Sequence, residues 1–436
     1  MNAAARLDDR VSRAWHAAAP LDAEVIGVLS LGAGTDGTDA SLLVVRDLDG
    51  IHPELVVTDG ASLRQARAGD GSVAALLRWW QAARVAAPFA ASWTGGAASP
   101  GEERQVSTDH ANLSLASGDV LVKLLRRPTA TVRTAELARH LEAVGFDQIP
   151  PLIGELRWDG QGDSVVLATA SRYLGGAQEG WGRFRDLAGA SLRGELTDDA
   201  VRSPLAELGG LVARFHVAMA TPSPSMPDPS SEASAEDHRA WHAFAVATLD
   251  AATTEVTGPI GDHLRARAAE LRRGLDPLLV AGRDPGTVRM SRIHGDLHVG
   301  QVLTASGGLY LTDLDGDTSA DPAWPTPFAP PARDLASLLR SLDHAARLAQ
   351  RRDDRLNDAA VDGWIGGARA TCRQAYERTL GIHGRQDLLA DALVAPFEVV
   401  QACHELLYAT RHLPDWLPVA EASFRALVDG RVTGGS

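Results

Sequence analysis

The first hundred residues alternate apolar and polar positions in the way that antiparallel strands do. This alternation, interrupted by turns containing Gly and Asp, predicts strands over residues 24–31, 41–47 and 55–58. A helical period instead predicts helices over residues 8–18 and 71–87. The segment 91–101 is rich in Gly, Ala, Ser and Pro, so it indicates a boundary.

A second strand-rich stretch begins at Arg104. Residues 117–119 form the corner of a predicted hairpin, and its second strand, 120–124, is apolar and carries Lys123. The remaining elements are a helix and two strands, predicted over residues 131–144, 152–158 and 164–170. Together these strands predict a mainly antiparallel sheet.

Beyond residue 176 the chain is mostly helical, apart from a Pro- and Ser-rich segment, 221–238, that is predicted to be mobile. Helices are predicted over residues 205–220, 242–253, 261–275, 332–350, 359–379, 385–410 and 420–428. The order of elements along the chain, with strands before helices, predicts an α+β fold of two lobes that follows an N-terminal mixed α/β cap domain. The expected domains are a cap, an N-lobe and a helical C-lobe, over residues 1–100, 101–175 and 176–436.

Composition narrows the possible functions. The 436 residues are 45% apolar, which suits a globular chain, and no apolar run is long enough to span a bilayer. The formal charge of −14 disfavours nucleic acid and anionic membranes as partners, and no obligate protein partner is evident. The two cysteines, Cys372 and Cys403, are too few for a disulfide framework. Since the N-terminus lacks signal-peptide features, we expect a cytoplasmic protein.

The chain contains a single lysine. Of its 42 basic residues only Lys123 is not Arg. A coding bias of this kind replaces Lys by Arg at every position where either residue functions. A position that keeps Lys is then one that requires a compact ammonium, as in a point contact to phosphate.

The most specific motif lies in residues 293–317, IHGDLHVGQVLTASGGLYLTDLDGD. Asp296 precedes Gln301 by five residues, and Asp313 follows a predicted hairpin. Phosphoryl transfer needs one carboxylate to accept the proton of the attacking hydroxyl and two oxygen ligands for Mg²⁺. Asp296 suits the first role as catalytic base, and Gln301 and Asp313 suit the second. His294 and His298 are assigned supporting roles.

Lys123 fits the nucleotide side of the same chemistry. Glu136 follows it on the predicted helix, where an ion pair would hold the lysine against the α- and β-phosphates of ATP. The turn at 109–117 lacks a glycine fingerprint, and its backbone amides and Ser114 are candidates to cover the phosphates. Neither a Walker nor a Rossmann fingerprint is present.

At these residues the sequence resembles the aminoglycoside-phosphotransferase-like kinases and, within them, the maltokinase-like proteins. The resemblance rests on HANLSLASGDVLVKLLRR, SRYLGGAQEGW, HGDLHVGQ, the Asp313 motif, ARDLASLLRSLDHAA and ELLYATRHLPDWLP. It implies a two-lobed, protein-kinase-like fold with ATP as co-substrate and one or two Mg²⁺ ions. It also implies that adenine binds the backbone near Arg172 and Leu174.

Departures from the maltokinase pattern concern the acceptor. Maltokinases follow the metal motif with basic residues and carry a Lys where this chain has Gln401. Here the acceptor side offers several carboxylates, namely Asp315, Asp317, Asp321 and Glu405. Such a pocket favours a cationic acceptor, and the chain is in this respect most similar to actinobacterial glucosamine kinases. Trp416 is a candidate to stack on the sugar, or equally a core anchor.

Three other functions remain open from the sequence. A maltokinase forming maltose 1-phosphate would share the mechanism, and an aminoglycoside phosphotransferase would share the acidic acceptor side. A catalytically dead kinase fold that only binds a ligand is the non-enzyme alternative. Because Lys123, Asp296, Gln301 and Asp313 are all present, the sequence favours an active small-molecule kinase, with glucosamine as the leading acceptor.

Overall fold

The computed structural model describes most of the chain. The residues it describes are 23–34, 37–48, 50–59, 62–82, 87–96, 101–108, 112–125, 134–280, 288–314, 316, 324 and 328–430. The helix predicted over 8–18 and the candidate acceptor residues Asp315, Asp317 and Asp321 lie outside this set. The chain divides into two compact units, one of residues 1–139 and 150–176 and the other of residues 140–149 and 177–436.

The first unit contains two antiparallel sheets. Strands β1 to β4 pair in chain order in a four-stranded sheet: Glu24–Ala33, Asp39–Asp47, Gly50–Thr58 and Leu63–Gln65. Helix α1 (Ser72–Gln81) follows. The six-stranded sheet has the order β5-β9-β10-β8-β7-β6, from Phe89–Trp93, Glu103–Thr108, Asn112–Ser117, Val120–Leu125, Leu152–Gly160 and Asp163–Arg172. Helix α2 (Thr134–Ala143) contributes residues to both units.

One hydrophobic core joins the two sheets and α1. Leu42 from the first sheet, Leu76 and Trp80 from α1 and Trp158 from the second sheet are all buried in the same cluster. A Cβ at Gly27 would lie 2.8 Å from the Trp158 indole nitrogen, so the glycine leaves room for that ring. Strand β5, predicted as part of a boundary, pairs with β9 instead. The boundary between cap and N-lobe that the sequence predicts at residue 100 stays a prediction.

Glu103 on β6 fixes the start of α1. Its carboxylate accepts hydrogen bonds from the backbone N–H groups of Gly69, Gly71 and Ala74, at 3.0, 3.0 and 2.9 Å. A carboxylate at a helix N-terminus satisfies amides that have no partner within the helix and interacts favourably with the helix dipole. The side chain thus ties the helix of the first sheet to an edge strand of the second.

The second unit is helical around two small sheets. Its helices α3 to α11 are Gly180–Leu192, Asp198–Met219, Ala235–Glu255, Gly258–Gly274, Pro277–Val280, Ala332–Gln350, Asp358–Ile382, Val394–Arg411 and Leu417–Val428. Its strands β11 to β15 are Gln178–Glu179, Ser230–Glu232, Arg289–Ser291, Val302–Ala305 and Gly308–Leu311. β14 and β15 form the predicted hairpin, to which β11 adds, and β12 pairs with β13.

Helix α8 (Ala332–Gln350) lies in the interior of this unit, with the bounds that the sequence predicted. Helices α4 and α9 pack so closely that a Cβ at Gly209 would overlap the Cys372 carbonyl. The single helix predicted over 385–410 is wrong at its start, because two 3₁₀ turns, Gln386–Leu388 and Asp391–Leu393, precede α10. The segment 221–238, predicted to be mobile, contributes strand β12 and the first residues of α5.

Replacement of Glu103 tests the contact between β6 and α1. We expect Glu103→Ala to lower the free energy of unfolding by about 1–2 kcal/mol, because three helix-start amides lose their acceptor. Urea denaturation followed by circular dichroism measures the change. Glu102→Ala is the matched control, because Glu102 is exposed and pairs only with Arg104 in the described structure. Equal stability of the two variants would contradict the assignment.

Candidate active site

The loop that carries Asp296 is held by a buried carboxylate on α8. Asp334 accepts the backbone N–H of His294 at 2.7 Å through Oδ2 and that of Gly295 at 2.9 Å through Oδ1. His294 is itself buried, and its Nε2 lies 2.8 Å from the carbonyl oxygen of Thr312. The residues before Asp296 are therefore fixed from two sides.

A hydrogen-bonded chain continues from Asp334 into the helices. His216 on α4 places Nε2 3.1 Å from Asp334 Oδ2 and Nδ1 2.9 Å from the hydroxyl of Tyr376 on α9. Burial alone would raise the pKa of Asp334, but the hydrogen bond and charge of His216 lower it. Burial raises the pKa of the Tyr376 hydroxyl. Asp334 is thus held as a carboxylate, which its two backbone donors require.

The hairpin β14–β15 brings the predicted metal ligands to one place. The carbonyl oxygen of Gln301 accepts both the backbone N–H of Thr312, at 2.9 Å, and its hydroxyl, at 3.2 Å. Asp313 follows at once, in the left-handed region with φ of 59°. Because non-glycine residues rarely adopt this conformation, it is often a mark of a functional position. Gln301 and Asp313 therefore lie on adjoining strand ends.

His298 orders the loop between Asp296 and Gln301. Its Nδ1 accepts the backbone N–H of Gly300 at 3.0 Å, so a neutral ring carries its hydrogen on Nε2, which lies 3.9 Å from Asp296 Oδ2. The ring stacks on Trp181 of α3, with centroids 5.4 Å apart. A Cβ at Gly300 would overlap the Trp181 indole, so the glycine is required for this stack.

A cavity of about 300 Å³ opens beside Asp296. It lies within the second unit, and α3, α8, α10, the Asp296 loop and the segment that leads into α11 contribute its walls. The lining residues are Trp181, Asp296, His298, Ser337, Ser341, His344, Gln401, His404, Glu405, Tyr408, Leu413 and Trp416. Trp181 and Trp416 meet edge to face at 5.5 Å, which makes one wall aromatic. Apart from the two tryptophans, every lining side chain except Leu413 can hydrogen-bond, so the cavity suits a small polar molecule that has one apolar face.

Glu405 on α10 is a carboxylate of the cavity wall that is paired with residues of α8. Arg340, only 1% exposed at its side chain, donates from Nε at 2.9 Å and from a terminal nitrogen at 2.5 Å to Glu405 Oε2. His344 Nε2 lies 3.2 Å from the same oxygen, with angles outside those of a hydrogen bond. Burial would raise the pKa of Glu405, but the charges of Arg340 and His344 lower it to about 2.

The structure brings together several of the residues predicted from the sequence. Asp296, His298, Gln401, Glu405 and Trp416 line one cavity. The sequence did not single out the other wall residues, Trp181, Ser337, Ser341, His344, His404, Tyr408 and Leu413. Trp181 lies in the segment SRYLGGAQEGW, but only its stack on His298 identifies it, and no local pattern predicts such a contact.

The predicted nucleotide residues lie in the first unit. Lys123 is on β8, directly opposite Ser114 on β7 and Thr169 on β10. Glu136 is in the first turn of α2. The pairing of Lys123 with Glu136 stays a prediction.

The backbone at the end of β10 and just after it is partly hydrogen-bonded within the chain. The N–H groups of Arg172 and Tyr173 bond to the carbonyl oxygens of Pro151 and Asp119, at 2.9 and 2.8 Å. In the described structure the N–H of Leu174 makes no such bond. The Arg172 side chain is bound by Asp119 and Gly95. The Arg172 head group is therefore already occupied by partners within the chain, and the binding of adenine at Arg172 and Leu174 stays a prediction.

Two further statements hold for the part of the chain that the structure describes. None of its helices combines the length and the apolar character needed to cross a bilayer. Its His, Cys, Asp and Glu side chains form no group of three or more arranged to hold a metal ion. The predicted magnesium site differs in kind, because it combines one amide with one carboxylate and leaves other positions to phosphate oxygens and water.

The chain is similar to several known proteins over more than nine-tenths of its length. No family model matches it. A glucosamine kinase from Streptacidiphilus jiangxiensis is 35% identical and covers 94% of this chain and 93% of its own. One from Mycolicibacterium smegmatis (strain ATCC 700084 / mc(2)155) is 29% identical, covering 92% and 97%. A solved glucosamine kinase in complex with glucosamine, ADP and inorganic phosphate is 31% identical, with a TM-score of 0.74, covering 95% and 98%.

The low pKa of Glu405 predicts a pH-dependent contribution to stability. Its pKa falls from the ordinary 4.5 to about 2 on folding, so the stabilisation is complete above pH 4.5 and is lost as the pH falls towards 2. We expect the difference in unfolding free energy between the wild type and Glu405→Gln to shrink over this window. Urea denaturation at several pH values measures it.

Glu421→Gln is the control for this measurement, because Glu421 pairs with Arg425 on the surface of α11. Its small effect should not change with pH in the same way. A Glu405→Gln effect that stays constant from pH 7 to pH 2 would show that the carboxylate is not stabilised by its buried partners.

Proposed function

This chain belongs to the glucosamine kinase family, and on that premise we propose that it transfers the γ-phosphoryl group of ATP to D-glucosamine, giving ADP and D-glucosamine 6-phosphate. The observation that carries the proposal is the cavity beside Asp296, whose wall holds the ionised Glu405. The carboxylate of Asp296 suits the reacting hydroxyl of the sugar, and the carboxylate of Glu405 suits its amine.

Asp296 acts as the catalytic base in this proposal. Its side chain is 37% exposed, so a hydroxyl in the cavity can reach it. The carboxylate orients the acceptor hydroxyl and accepts its proton as the bond to phosphorus forms. Asp334, through the amides of His294 and Gly295, holds the loop, and His298 with its Nε2 hydrogen faces the Asp296 carboxylate.

Gln301 and Asp313 hold Mg²⁺ in the proposed mechanism. The proposal is supported by the chemistry of the two side chains, an amide and a carboxylate, and by the backbone of Gln301, which is hydrogen-bonded to Thr312, the residue before Asp313. Both are oxygen ligands of the kind that Mg²⁺ prefers. The bound ion supplies positive charge to the β- and γ-phosphates.

ATP binds, in this proposal, through the six-stranded sheet. Lys123 contacts the phosphates, Glu136 steadies it, and Ser114, opposite Lys123 on the neighbouring strand, hydrogen-bonds a phosphate oxygen. The adenine base meets the backbone at Leu174, whose N–H makes no bond within the described chain. A location in the cytoplasm, where ATP is supplied, remains a prediction.

The acceptor amine is bound by Glu405, with Gln401 one turn earlier on α10 supplying a neutral hydrogen-bonding group. An ammonium gains charge-assisted hydrogen bonds from a carboxylate in a partly desolvated site. Trp181 and Trp416 offer ring faces and edges to the apolar side of a sugar. Asp315, Asp317 and Asp321 remain candidates on the sequence alone.

An acceptor panel tests the proposed function. With Mg-ATP and coupled detection of ADP, we expect kcat/KM for glucosamine to exceed that for glucose, maltose and kanamycin by at least about tenfold, since a buried carboxylate left without the amine loses a charge-assisted partner. The Asp296→Asn control should lower turnover by a factor of about 10²–10⁴, as loss of a general base does.

The panel also decides among the alternatives. Preference for maltose would identify a maltokinase, and preference for kanamycin an aminoglycoside phosphotransferase. No turnover with any acceptor would indicate a binding protein with an inactive kinase fold. Unchanged turnover in Asp296→Asn would remove that residue from the base role.

The solitary lysine gives a separate prediction. Lys123→Arg keeps the positive charge, but a planar guanidinium cannot take the place of a compact ammonium against the phosphates. We expect kcat/KM for ATP to fall by about tenfold or more, a loss of at least about 1.4 kcal/mol in transition-state binding. Arg46→Lys is the control, because Arg46 pairs with Asp163 and both side chains are exposed. Full activity of Lys123→Arg would show that the lysine has no special role.

A further inference from the structure

The acceptor carboxylate is held asymmetrically. An Arg–carboxylate pair is often a fork in which two nitrogens meet two oxygens. Here both donating nitrogens of Arg340 meet the same oxygen, Oε2 of Glu405, and His344 Nε2 lies near that oxygen as well. In the part of the chain that the structure describes, Oε1 of Glu405 has no hydrogen-bond partner.

By elimination, we assign Oε1 to the cavity side of the carboxylate. Glu405 lines the cavity with a side chain only 11% exposed, and Arg340 and His344 surround the other oxygen. The Arg340 guanidinium is fixed in turn, because it also donates to the hydroxyl of Ser423 on α11 at 2.9 Å. The carboxylate therefore has one oxygen anchored in the protein and one presented to a ligand.

We propose that Arg340 is a positioning residue for acceptor recognition, which holds Glu405 ionised and rotated so that Oε1 receives the amine of the acceptor. The inference rests on the proposed function and goes beyond it, since Arg340 itself does not line the cavity. Selectivity for an amino sugar then depends on a buried arginine behind the pocket.

Removal of one partner from the buried Arg340–Glu405 ion pair is energetically unfavourable. Loss of the Arg340 charge leaves a carboxylate in a buried position, where the neutral form is favoured. A protonated Glu405 is a poor partner for an ammonium, whereas a neutral hydroxyl at the same position of glucose has less to lose. Removal of Arg340 should therefore affect glucosamine more than glucose.

A double-mutant cycle tests the proposal. The variants are Arg340→Gln, Glu405→Gln and the double variant, and the readout is the ratio of kcat/KM for glucosamine to that for glucose. We expect Arg340→Gln to lower this ratio by about tenfold, mainly through the KM for glucosamine, with the KM for ATP changed less than about twofold. In the Glu405→Gln background, the same substitution should not lower the ratio further.

Arg369→Gln is the matched control. Arg369 on α9 and Glu398 on α10 form a second buried Arg–Glu pair with a distance of 2.5 Å, and neither residue lines the cavity. Its loss should lower stability and leave the acceptor ratio unchanged. A fall in the ratio as large as that of Arg340→Gln would mean that any loosening of the helices has this effect, and would overturn the proposal.

Arg340→Lys keeps the test decisive if Arg340→Gln does not fold. Lysine retains the charge but not the fixed pair of donors, so we expect Glu405 to stay ionised and the ratio to fall by a smaller factor. An unchanged ratio in this variant, or additive effects in the cycle, would refute the inference alone. A wild-type protein without glucosamine turnover would instead refute the proposed function.

Discussion

The buried carboxylate of Asp334 is the constraint on which the active site depends. One side chain binds two consecutive amides of the loop before Asp296 and, through His216 and Tyr376, joins that loop to α4 and α9. Removal of one partner from such a buried, charged network typically costs about 3–5 kcal/mol. The position of Asp296, the proposed base, is therefore set by the helical interior and not by the loop itself.

The same helix also carries the charges behind the acceptor cavity. Along α8, Asp334, Arg340, Asp343 and Arg347 are all buried. Each finds a partner on another helix or on α8 itself, as when Arg347 binds Asp343 and Asp362 at 2.9 and 2.6 Å. These pairs explain why a helix so rich in charge lies in a protein interior. Contacts of α8 also join the Asp296 loop and the Glu405 side of the cavity to one helix.

Much of this could be predicted from the sequence, and the kinase-like α+β fold is confirmed by the similarity to glucosamine kinase structures. The bounds of α8 and the hairpin after Gln301 follow from local periodicity and turn residues. Strand β12 could not be predicted, because Ser230–Glu232 becomes a strand only by pairing with Arg289–Ser291. Trp181 was missed for the same reason, since its role comes from a stack on a residue more than a hundred positions away.

The structure also changes the physical argument for the acceptor. The sequence suggested that loss of basic residues makes the pocket acidic and so attracts a cation. The negative charge of the ionised Glu405 is in fact balanced by the positive charge of Arg340. A compact ion pair produces little electric field at a distance. In the proposed function, a preference for an amine then comes from a short-range contact, the hydrogen bond from the amine to the one oxygen of Glu405 that Arg340 leaves unpaired. A pocket of this kind distinguishes an amine from a hydroxyl by direction and desolvation, which a surplus of negative charge alone would not do.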